Sequence, residues 1–290
     1  MCLCSLLSIS FFTLMEQKFL ALGQLRNGPY QVGYLGILQP ISDFVKLSIK
    51  ESDDIFKDNI RFLFILLPYI NLVFFLIIWL VYPCYSHTLN IIGGLLFFIL
   101  ILGLVSIPLL IISWYSNCKY SLIGGLRSVS QIISYDCVIG FIIITFILIR
   151  NNTDMEYFNN LGINFSLLII IPVLLIWLPR ILAESNRTPF DFSEGESELV
   201  SGFNTEYSGF SFSGCFIGEY LSILLIRIIT GYIFFFKLRS TVGFVCLYIV
   251  CFYVWVRTFL PRYRYDKLII ASWKVLLPLS IIIYSFFYNL

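Results

Sequence analysis

Apolar residues run along this chain in blocks of about twenty, separated by short polar stretches. At 1.5 Å of rise per residue, such blocks match helices that cross a hydrocarbon layer about 30 Å thick. Eight blocks are found, at about 3–25, 60–82, 91–113, 129–150, 164–183, 209–231, 240–260 and 269–289. The first is the weakest, because only 15 residues precede Glu16 and the block has to absorb Glu16, Gln17 and Lys18 in its last third. Strand-type alternation is absent, and open sheet edges cannot exist in lipid. The pattern therefore predicts an all-α, polytopic transmembrane helix bundle of about eight spans. With no repeat period or low-complexity tract, residues 1–290 read as a single integral membrane domain.

Between the first two blocks the period changes. In Gln39–Glu51 the apolar Ile41, Phe44, Val45 and Ile49, with Ser48, fall at helical spacing opposite Asp43, Lys46 and Lys50. That spacing describes an amphipathic helix lying along a membrane surface, or simply a solvated surface helix. The start of the chain has neither a basic region nor a small-residue cleavage site, so it reads as a first span and not as a removable signal. Of 19 Lys and Arg residues, 15 lie in or beside the loops after spans one, three, five and seven, which the positive-inside rule places on the cytoplasm-like face.

Composition reinforces this picture. The chain is 59% hydrophobic and 12% charged, with a mean hydropathy of +0.91, whereas a soluble domain is about a quarter charged. A net charge of +2 with no Lys/Arg cluster argues against a nucleic-acid partner. The 29 Phe and 18 Tyr beside only three Ala point to codon bias in an A+T-rich organelle genome. Eight cysteines form no CxxC pair and His87 stands alone, so no metal or iron–sulfur site is expected in this chain.

Chemistry concentrates after span five. Residues 184–207 carry six carboxylates, Glu184, Asp191, Glu194, Glu196, Glu198 and Glu206, against the single Arg187. Thr188-Pro189 with Asp191 three residues after the threonine has the form of a helix start, and Ser193 with Glu196 repeats it. Capping accounts for two or three acids but not six beside a membrane, where crowded like charges favour shared protons or counter-ions. Within the spans stand Glu16, Asp136 and Glu219, each of which would cost about 2.5–3.5 kcal/mol if it faced lipid. They are expected to face protein or water, with Arg127 and Tyr135 placed to approach them. Each acid could pair with a base for assembly alone; three of them beside the acidic loop suggest a hydrated, proton-conducting interior.

The stretches Ala183–Asp191 and Glu194–Asn204 closely resemble the signature of the NADH–ubiquinone oxidoreductase chain 1 family, the membrane subunit of the quinone tunnel in respiratory complex I. The likeness extends over nearly the whole chain. It includes Gly28-Pro29, Val32-Gly33, Gln39-Pro40 with Asp43 and Lys46, Gly124–Arg127, Ser134–Asp136 and Leu260–Lys267. The resemblance implies a proton-pumping oxidoreductase of the mitochondrial inner membrane, with the odd-numbered loops facing the matrix and meeting the peripheral-arm subunits. It implies ubiquinone as substrate, with flavin and iron–sulfur clusters held by other subunits and no metal here. Arg26, Gln39, Asp43, Lys46 and Phe203 would line the quinone tunnel. Glu16, Asp136, Glu184, Asp191, Glu194, Glu196, Glu206 and Glu219 would couple quinone chemistry to proton movement, with Arg187 and Arg127 as counter-charges. The chain departs from the family pattern at Gln17, Tyr30, Gln31, Asp136 and Arg227, where the family usually has Arg, Asn, a base, Glu and an apolar residue. Other readings are the membrane subunit of a membrane-bound hydrogenase or formate hydrogenlyase, and a secondary transporter, although no inverted repeat is visible.

Overall fold

A computed structural model of the chain describes residues 2–50, 58–81, 91, 93–150, 152–154, 167–191, 202–234 and 239–288. Among the described residues, each expected block holds a helix: α1 Cys2–Gly23, α3 Asp58–Ile78, α4 Gly94–Tyr115, α5 Lys119–Arg150, α6 Leu167–Glu184, α7 Gly209–Phe234, α8 Arg239–Phe259 and α9 Tyr265–Tyr288. The amphipathic stretch forms α2, Gln39–Ile49. No strand occurs among the described residues. Helices α1, α4, α5, α7 and α9 are long and apolar enough to cross a membrane, and α3 and α8 carry shorter apolar runs at Phe62–Ile78 and Val245–Phe259.

Helix α5 is the hub, packed on α4, α6 and α9, while α7 joins α3, α6, α8 and α1. The core between them is formed by Phe98, Ile112, Val138, Ile143, Trp177 and Leu221, all essentially inaccessible. Large apolar side chains such as Phe11, Leu100, Ile107, Trp255 and Phe286 point outward. In water such a surface would drive association; against lipid tails it is the expected exterior. Helix α2 buries none of its residues and leaves Ile41, Phe44, Val45 and Ile49 exposed, while Phe44 meets Phe210 at the start of α7 edge-on at 6.5 Å.

Two sequence expectations are corrected. The helix of the fourth block does not begin near 129: α5 starts at Lys119 and runs through Gly124 and Gly125. Glycine inside a helix costs about 1 kcal/mol against alanine, and here the reason is space. A Cβ on Gly125 would overlap Ser113 Oγ of α4, and one on Gly124 would sit 2.9 Å from the backbone of Gly202. The pair lets α5 touch α4 and the 3-10 turn Gly202–Asn204 at once. Gly125→Ala is accordingly expected to cost about 1–3 kcal/mol by overpacking and to lower the yield of folded subunit; Ser113→Gly should restore most of it. Equal yields of wild type and Gly125→Ala on a native gel would refute this contact.

The second correction concerns the helix start expected at Thr188-Pro189. Among the described residues, 185–191 form turns and not a helix. The Thr188 hydroxyl accepts a hydrogen bond from Arg257 Nε at 3.3 Å instead of capping, and Phe190 N–H closes a turn on Arg187 O at 2.8 Å. The repeat at Ser193 and Glu196 lies outside the described residues.

Candidate functional site: ion pairs in the bundle interior

Four apolar helices carry an acid inward, and each acid has found a cation from another part of the chain or from the next turn. On α5, Asp136 Oδ1 stands 3.6 Å from Arg180 Nη2 of α6. Arg180 also pairs with Glu184, one helical turn on, and lies 5.5 Å over the Trp177 ring. Its side chain is 0% exposed, so two carboxylates share one guanidinium inside the bundle. On α1, Glu16 pairs with Arg257 of α8 and accepts a hydrogen bond of 2.7 Å from the Tyr220 hydroxyl of α7. On α7, Glu219 stands 3.5 Å from Arg187, whose guanidinium lies 5.0 Å over Tyr220. Tyr220 thus touches two of the three groups.

These contacts tie the acidic segment to the bundle. Gln131 Nε2 donates to Ala183 O at 2.6 Å and to Phe190 O at 3.2 Å, which holds the end of α6 and the turn after it against α5. Tyr263 N–H donates to Pro189 O at 3.0 Å, and the Tyr263 ring stacks on Phe190. Further along, Tyr207 stacks on Phe64 at 4.0 Å and donates to Phe64 O at 3.1 Å. Burial, with the Cys215 thiol adding to it, pushes the Tyr207 phenol well above its usual range, so it serves as a permanent donor.

A family model described as NADH dehydrogenase matches residues 1–288 of this chain. The chain belongs to that family. Three relatives, each named NADH-ubiquinone oxidoreductase chain 1, show how far the NADH dehydrogenase likeness extends. The Locusta migratoria protein is 42% identical, covering 99% of this chain and 92% of the relative. The Aedes aegypti protein is 41% identical with the same coverage, and the Mytilus edulis protein is 42% identical over 94% of this chain and 90% of its own length.

Within this NADH dehydrogenase chain, most of the described residues expected to matter fall into two groups. Glu16, Asp136, Glu184, Glu219 and Arg187 belong to the interior ion pairs. Gln39, Asp43 and Lys46 lie on α2, where Gln39 Nε2 donates to Asp43 Oδ1 at 2.9 Å, and Arg26 lies in the turn after α1, its N–H donating to Ala21 O at 2.9 Å. Phe203 is buried in the 3-10 turn against α5, its carbonyl accepting from Ser121 Oγ at 3.3 Å. Asp191 and Glu206 are half-buried, and Glu194 and Glu196 lie outside the described residues.

Two expected partnerships take another form. The cation beside Asp136 is Arg180; Arg127 lies 5.8 Å over the Tyr265 ring. Tyr135 turns away toward α9, its hydroxyl 3.4 Å from Leu268 O. Arg180 and Arg257 stand near span ends, where the positive-inside rule counts them among the 15 loop-side bases, and the structure places both inside. Arg180 had a readable signal, its spacing of four from Glu184 in an otherwise apolar helix. Arg257 had none, since its partner Glu16 is at the other end of the chain.

Proposed function

We propose that this chain is the membrane subunit of a proton-pumping NADH–ubiquinone oxidoreductase of the mitochondrial inner membrane, forming the access path for ubiquinone and the acidic path that couples quinone reduction to proton movement. The observation that carries the reading is the set of acids drawn from α1, α5, α6 and α7 into the bundle interior on shared or aromatic-stacked arginines. A purely structural bundle would be as stable or more so with hydrophobic residues in their place, because desolvating an ion pair offsets most of what the pair contributes. The naming of the relatives favours quinone over the hydrogenase and transporter readings. In this account flavin and iron–sulfur clusters belong to other subunits, and the odd-numbered loops, facing the matrix, meet the peripheral arm.

Each group has a role by its chemistry. Helix α2 rests at the interface with its apolar face outward, and its Gln39–Asp43 bond with Lys46, together with Arg26 in the turn after α1, provides polar handles for a quinone head entering from the bilayer. The acids beyond it exchange protons with that head and with one another, because a carboxylate sharing a guanidinium releases its cation when it takes up a proton. Arg187 holds Glu219 and the start of the acidic segment together.

The test separates the electron-input end from the quinone end. Arg26→Ala or Asp43→Asn in the assembled complex is expected to lower NADH–quinone reductase activity by about tenfold, the cost of one charge-assisted hydrogen bond. NADH oxidation by an acceptor that takes electrons at the flavin should stay near wild type. Equal loss of both activities in a fully assembled complex would count against the tunnel assignment.

A further inference from the structure

Between α1 and α2 the chain makes a tight excursion over residues 24–38, and its contacts converge on Lys18 in the last two turns of α1. Arg26 N–H closes the first bend on Ala21 O at 2.9 Å. Gly28 then passes so near that a Cβ there would stand 3.1 Å from Lys18 Cγ and 3.2 Å from its Cα. Further on, the Lys18 amine donates to the carbonyl of Leu35 and lies 5.5 Å from the centre of the Tyr30 ring. Among the described residues Lys18 makes no ion pair, so its charge is directed at this carbonyl and this ring.

The segment so held has little to keep its own shape. Its internal hydrogen bonds are long, 3.4 Å from Gly36 N–H to Gly33 O and 3.3 Å from Ile37 N–H to Tyr34 O. Leu35 adopts φ +56°, a left-handed conformation that residues other than glycine rarely take and that persists where the surroundings enforce it. Gly36, at φ +73°, lies so close to Pro29 that a Cβ would overlap the Pro29 carbonyl, which pinches residues 29 and 36 together. A loop closed at its base by Gly36 and tied to α1 by Lys18 thus stands between Arg26 and the Gln39, Asp43 and Lys46 of α2.

We propose that Lys18 is a positioning residue of the quinone entry: by holding Leu35 and Tyr30 it fixes the α1–α2 connection, and with it the placement of Arg26 relative to the polar side of α2. An ammonium on a carbonyl makes a charge-assisted bond, roughly twice as strong as a neutral one. Among the described residues it is the one side-chain hydrogen bond from α1 to this loop. Lys18 touches no reacting atom. The inference rests on the reading of Arg26 and α2 as the path for ubiquinone, and its test tells the two apart.

The experiment is steady-state NADH–ubiquinone kinetics on the purified, assembled complex carrying Lys18→Met, Lys18→Arg or Gly36→Ala, with Arg26→Ala alongside. Lys18→Met should raise KM for ubiquinone about tenfold, as for one charge-assisted hydrogen bond, and leave kcat within about twofold of wild type, because an entry residue acts on binding and not on later steps. Lys18→Arg, which keeps the charge and the donor, should stay near wild type. Gly36→Ala forces a Cβ against Pro29 and loosens the same loop from its other end, so it should give a similar KM rise that does not add to that of Lys18→Met. This second route decides the matter if Lys18→Met fails to assemble. An unmoved KM in these variants while Arg26→Ala lowers quinone activity would overturn the role of Lys18 and leave the entry path standing. If Arg26→Ala is also without effect, the entry path falls and this inference with it. A loss confined to kcat, or one that Lys18→Arg shares in full, would likewise overturn it.

Discussion

Asp136→Asn is expected to give an assembled complex in which quinone-linked turnover and proton transport fall together by about a hundredfold, the lower range for loss of a positioned proton donor or acceptor. The structure makes this substitution informative because the local fold does not depend on the second acid. With Asp136 neutral, Arg180 keeps Glu184 one turn away, and an amide of the same size occupies the same place on α5. Thermal stability should drop modestly while turnover drops steeply. Asp136→Glu lengthens the reach toward Arg180 from its present 3.6 Å and should retain most of the activity. A purely structural Asp136 would give the reverse order, with Asn tolerated and the longer Glu harmful. Turnover and proton transport measured on both variants decide the matter, and a fully pumping Asp136→Asn enzyme would remove this residue from the proton path.

Arg180→Met should be more severe and of another kind. Arg180 is 0% exposed and is the only cation in contact with Asp136 and Glu184 among the described residues. Removing it leaves two carboxylates stranded in the interior, and breaking a buried pair from one side costs about 3–5 kcal/mol. The expected result is loss of the assembled complex on native gels, not a slow enzyme. Adding Glu184→Gln to Arg180→Met relieves one of the stranded charges and should return a measurable fraction of assembled complex. Were Arg180→Met to assemble at wild-type levels, the ion-pair account of the interior would fail.

The two predictions also mark what can be read in such a sequence. Apolar blocks long enough to span lipid locate each long helix among the described residues, because in a membrane each segment has to satisfy its own backbone and length selects it. The beginning of α5 is missed for a tertiary reason: Gly124 and Gly125 resemble a turn until Ser113 and Gly202 are seen pressed against them. At the site, the acids announce themselves as charges in apolar runs. Their partners do not, since the rule that counts Lys and Arg near span ends assigns Arg180 and Arg257 to loops. Arg227 stands out in sequence only as a charge out of place, and its setting between Phe12 and Tyr253 depends on three helices meeting. Pattern along the chain thus gives the scaffold and one sign of the charge; the other sign comes from packing.

The pairing of Glu16 with Arg257 bears on how the subunit is made. Helix α1 is synthesised before α7 and α8, but the cation that seals its acid is on α8. The Tyr220 hydroxyl, the other group on Glu16, is on α7. During most of synthesis, therefore, Glu16 has no native partner, and the cost of leaving an acid in lipid keeps the final third of α1 close to the membrane surface or inside the insertion machinery. Only when α7 and α8 are in place can Glu16 meet both of its partners. A helix made before α7 and α8 is thus locked only once they are in place, and a chain truncated before Arg257 should leave α1 loosely held and open to proteolysis.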